Sequence, residues 1–67
     1  MIEFNKQKML KFVQIDLLLN RVYLDLQARG HQKDYALKII FNSYVLGDPV
    51  MEDEYIKLSI NSSKNVL

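Results

Sequence analysis

From Asn5 to Arg29 the chain contains neither glycine nor proline, and its apolar residues recur at helical spacing on two faces instead of one. At about 100° per residue, Phe12, Ile15, Leu19, Val22, Tyr23 and Leu26 share a broad first face. Leu10, Val13, Leu17, Leu24 and Ala28 share a second. Asp16, Asn20 and Gln27 separate the two faces on one side, and Gln7, Lys11, Gln14, Arg21, Asp25 and Arg29 on the other. A helix with two apolar faces needs two partners, and a short chain covers one of them with its own remaining residues. The second face is therefore expected to meet another chain, with Leu10, Val13, Leu17 and Leu24 as the self-association residues. Leu18 projects from the polar stripe between Gln14, Arg21 and Asp25, so Leu18, Arg21 and Asp25 form the candidate patch for a further protein partner.

Punctuation divides the chain into three predicted helices, about 5–29, 35–46 and 49–60, within a single domain over 1–60, followed by a frayed tail over 61–67. Asn5 caps the first, and Gly30 supplies the left-handed position that ends it. At 1.5 Å per residue this helix would be roughly 37 Å long, longer than so small a globule is wide. Asp34 is placed to cap the second helix, where only Lys38, Asn42 and Ser43 interrupt the apolar residues from Tyr35 to Leu46, so that helix is expected to be mostly buried. Gly47-Asp48-Pro49 reads as a tight junction: Gly47 ends one helix, Asp48 caps the next, and Pro49 takes the first helical position. Glu52, Asp53 and Glu54 follow near the positive end of the helix dipole, and Met51, Tyr55 and Leu58, joined by Ile56 and Ile60, are expected to face the core. The period-two alternation of Ile56 to Ile60 also admits a strand, pairing with Ile2-Glu3-Phe4. The predicted fold is thus all-α, a three-helix domain with a long N-terminal helix, assembled as a homodimeric helical bundle.

Composition narrows the function classes. The chain has 67 residues, a size at which a monomeric core is marginal. Its hydrophobic residues (49%) outweigh the charged ones (25%), so it should fold and not remain disordered. Cysteine is absent, which removes disulfides and thiolate metal sites. A net charge of +1 gives no general electrostatic drive toward nucleic acid or an acidic membrane. The longest apolar runs, around Leu17-Leu18-Leu19 and Tyr44-Val45-Leu46, fall far short of the roughly 20 residues that span a bilayer. No cleavable leader is legible at the start, and the chain is expected to be cytoplasmic. The Lys, Asn and Ile content suits a low-GC bacterium or its phage.

Catalytic and metal chemistry find few carriers. His31 follows Gly30 in a turn, with Asp34 nearby as a possible orienting partner, and reads as a solvated residue. Asp48 and Glu52 share a helical face, yet the acidic group lacks the alternating ligands and glycine of a calcium loop. No catalytic residue, cofactor or metal is expected. Val22-Tyr23, Leu26 and Gly30, followed by Tyr44-Val45-Leu46-Gly47-Asp48-Pro49, resemble the helical IreB family of small bacterial regulators, over less than half of the chain. That resemblance implies a cytoplasmic dimer regulated by a threonine kinase. The chain departs from the family in having no threonine and a longer spacing after Gly30, so no site residue carries over. The functional expectation is a non-catalytic interaction module, a regulator, adaptor or inhibitor that binds a larger protein stoichiometrically as a homodimer. The alternative is a small dimeric DNA-binding transcriptional regulator. Lys6, Lys8 and Lys11 favour that alternative, while the acids that open the third helix oppose it.

Overall fold

A computed structural model of the chain, describing residues 2–58, is all-helical, with no strand among those residues. Its helices are α1 (Lys6–Ile15), α2 (Leu17–Ala28), α3 (Lys33–Ile40) and α4 (Pro49–Lys57), and a π-helical turn (Phe41–Val45) prolongs α3. The long N-terminal helix expected from the sequence is therefore two helices. The break is at Asp16, whose backbone is extended (φ −105°, ψ 117°). Its N–H donates to the Phe12 carbonyl at 3.0 Å, closing α1, and its carboxylate accepts the Leu19 N–H at 3.0 Å, opening α2. One residue caps two helices. At about 15 Å and 18 Å each is far shorter than the continuous rod, and α2 returns toward the start of α1, where Lys6 reaches Asp34 at 3.4 Å.

Other helix ends follow from residues that the sequence marks. Asn5 accepts the Lys8 N–H at 2.9 Å at the head of α1. Gly30, at φ 100°, ends α2 with paired bonds from its own N–H to Gln27 and from His31 to Leu26, the Schellman arrangement. The second predicted helix begins earlier and ends differently. Its N-cap is Gln32, without a side-chain bond, and Asp34 lies within the first turn. The last turn widens, so that the Leu46 N–H bonds to the Phe41 carbonyl at 2.8 Å, and Gly47 follows at φ 92°. Tyr35, Tyr44 and Leu46 are exposed there, against the expectation of a mostly buried helix. Asp48 caps α4 through Val50 and Met51 with Pro49 at its start, while Glu52 accepts the Gly47 N–H. Ile56 and Lys57 are helical and Leu58 ends the helix. Ile56, expected on the core face, is exposed because it follows the buried Tyr55 by one residue, a turn of about 100° away from the core. The predicted continuation to residue 60 and the tail over 61–67 lie outside the described residues.

The core is small and drawn from every element. Met9, Phe12 and Val13 of α1 meet Leu19 and Tyr23 of α2, Ala36, Leu37 and Ile40 of α3, Phe41 and Val45 of the π turn, and Tyr55 of α4. Phe41 lies 5.3 Å from Tyr55, which also faces Phe12 at 6.2 Å. The stretch before α1 is strapped across this cluster. Phe4 meets Phe41 edge-on at 5.6 Å, and the Tyr55 hydroxyl accepts the Asn5 N–H and donates to the Glu3 carbonyl, both at 2.8 Å.

Candidate interaction surface

The corner at Asp16 turns apolar side chains outward. Ile15, Leu17 and Leu18 are 65%, 77% and 59% exposed, although the turn that carries them is fixed by the Asp16 bonds on both sides. Scattered exposed leucines are ordinary on a protein surface. Three large aliphatic side chains within four residues, on a rigid corner, form a protruding apolar knob. Leu24, 57% exposed, continues the apolar surface along α2 two turns from Leu17.

Between α1 and α2 lies a groove of about 520 Å³ that reaches the first turn of α3. Leu10 and Leu24 line it from α1 and α2, together with Tyr23 and Leu37 from the core. Gln7, Gln14 and Gln27 add amides, and Lys6, Lys33 and Asp34 supply the charges. Lys6 and Asp34 also line an adjoining cleft of about 360 Å³ with Phe4, Tyr35 and Lys38, so their ion pair stands between the two hollows. Lys38 lies over the Phe4 ring at 5.7 Å. Burial raises the pKa of the Tyr23 hydroxyl above its ordinary value, and the negative charge of Asp34 raises it further.

The residues predicted for self-association separate in the structure. Val13 is fully buried in the chain's own core and presents nothing to a second copy. The reason is the Asp16 corner, which swings α2 beside α1, so the face that carries Val13 is covered from within. Leu10 and Leu24 line the groove, and only Leu17 stands on the open corner. Leu18 and Arg21 are exposed on α2 as the partner patch requires; Asp25 is exposed and paired with Arg29 at 2.8 Å. Ile15, placed by periodicity on the core face, instead joins the knob. Sequence reasoning missed the groove, because its charged end unites Lys6 with Lys33 and Asp34 across separate helices. A signal was present in Lys33 and Asp34 following the Gly30 stop, where a returning chain would carry them back to the first helix.

The groups weighed for chemistry have structural partners. Asp48 and Glu52 are occupied in capping, and Asp53 binds Lys57 at 3.0 Å. The His31 ring lies 5.3 Å from Tyr35, and both are exposed. Among the described residues, no helix is long and apolar enough to cross a membrane. The chain matches no family model, no curated protein and no solved structure. The likeness to the IreB family therefore carries no site to it.

Proposed function

We propose that this protein is a small non-catalytic interaction module that binds a larger protein stoichiometrically and acts as a homodimer. The observation that carries this reading is the apolar knob of Ile15, Leu17 and Leu18, large side chains held outward on a corner that cannot fold them away. Removing such side chains from water contributes on the order of 2 kcal/mol each when they are fully buried. A second copy is the first partner of the knob, with Leu17 at its centre. Sedimentation equilibrium at micromolar concentration should give a mass above the 7.9 kDa chain, and Leu17→Asp should return it to that value while preserving the helical spectrum. A native chain that sediments only as the monomer, with a cooperative thermal transition, overturns the homodimer.

A further inference from the structure

We infer that the groove between α1 and α2 receives an acidic amphipathic helix from the larger partner, apolar side chains against Leu10 and Leu24 and carboxylates toward Lys6 and Lys33. The inference rests on the reading of the chain as a protein-binding module and names the chemistry of its partner. From Lys6 to Gln14 the α1 wall is about 12 Å long, the length of two turns of a bound helix. At about 520 Å³ the groove is of the size that accommodates ligand groups. Side chains three or four positions apart on a bound helix would meet the exposed faces of Leu10 and Leu24, as helix-in-groove recognition requires.

Charge selects the occupant. Lys6, Lys33 and Lys38 gather at one end of the two hollows around Asp34, which among the described residues is the only carboxylate that lines either of them. Lys6 is held by Asp34 at 3.4 Å with both side chains largely exposed, a pairing that water already weakens and that an incoming carboxylate can share. A second copy laid groove to groove would bring Lys6 and Lys33 again with only one more acid, its own Asp34, so the excess of positive charge would double and not be neutralised. Duplex DNA would meet the lysines but leave Leu10, Leu24 and Tyr23 facing a phosphate backbone. An acidic helix with an apolar stripe satisfies both ends at once.

The probe is a fluorescein-labelled peptide of about 14 residues, some four helical turns, with leucines along one face and glutamates beside them. A counterpart carries lysines in place of the glutamates. Anisotropy at about 50 mM salt should show the acidic peptide binding at least about tenfold more tightly than the basic one, and the preference should shrink at about 500 mM. Lys6→Gln with Lys33→Gln should abolish the preference, and Leu24→Ser should weaken the acidic peptide about tenfold. Amide resonances of Leu10, Leu24 and Leu37 should shift on titration, and those of Leu17 and Leu18 should not. Equal binding of the two peptides, no binding of the acidic one, or binding of duplex DNA in its place overturns the inference. So does dissociation of the self-assembled chain by the double glutamine variant, which would make the groove a contact between copies. Leu17→Asp should still bind the acidic peptide, so failure of the homodimer and failure of the groove give different results.

Discussion

Tyr55 ties together parts of the chain that lie far apart in sequence. Its ring closes the aromatic cluster, and its hydroxyl accepts the Asn5 N–H and donates to the Glu3 carbonyl at 2.8 Å each. Only 2% of the residue is exposed. Tyr55→Phe keeps the ring and strands two backbone groups, so it should lower stability by about 1–3 kcal/mol, measured from urea midpoints at neutral pH. Burial raises the hydroxyl's pKa above its ordinary value near 10, opposed in part by the Asn5 hydrogen bond. The unfolded chain then ionises first, which fixes the sign: this contribution is whole below about pH 10 and is lost as the pH rises through the raised value. Tyr23 shifts in the same direction. The native chain should therefore weaken above about pH 10, and Tyr55→Phe should show a shallower alkaline loss, with Tyr23 and the Asp53-bonded Lys57 still contributing. Periodicity places Tyr55 toward the core. It says nothing of the hydroxyl, whose partners are backbone atoms at the opposite end of the chain.

Elements were legible where glycine, proline or a cap marks their ends. Gly30 and Gly47 both have positive φ, and Asp48 and Pro49 open α4 as their chemistry requires. Asp16 was not legible, because no helix breaker stands beside it and both flanking segments favour helix. The apolar phase nevertheless survives the break. Phe12, Leu19 and Tyr23 are buried on the face assigned to them, while Val13 and Ile15 exchange roles at the corner. What betrays the break is an aspartate followed three residues later by a buried leucine whose N–H it accepts. The two kinds of marker can be tested together. Asp16→Ala should cost about 1 kcal/mol through the lost cap. Gly47→Ala should cost about 1–2 kcal/mol through the left-handed backbone alone, since beyond the residue and its chain neighbours the added methyl meets nothing within 4 Å. Unchanged denaturation midpoints in both variants would show that neither junction governs the fold.

At the scale of the whole molecule, the groove and the knob arise from the same bend. Folding α2 back beside α1 buries Val13 and leaves Leu17 outside, so the corner divides the apolar surface between the chain's own core and the exposed surface. A chain this short with a small core is marginal by itself, so association of copies should contribute to its stability. Linkage makes this measurable, because a hundredfold rise in concentration above the dissociation constant adds up to about 2.7 kcal/mol per dimer, or about 1.4 kcal/mol per chain. For a domain this small, 1 kcal/mol moves the melting temperature by about 4–8 °C. The native melting temperature should therefore rise by roughly 5–10 °C between about 5 and 500 µM, whereas that of Leu17→Asp should stay constant and match the native value at the dilute limit. Leu17 is 77% exposed in the isolated chain, so the substitution removes nothing from its core. Leu19→Ala gives the contrast: Leu19 is fully buried, and its truncation should cost about 2–5 kcal/mol at every concentration. A native melting temperature independent of concentration would overturn the contribution of self-association to stability.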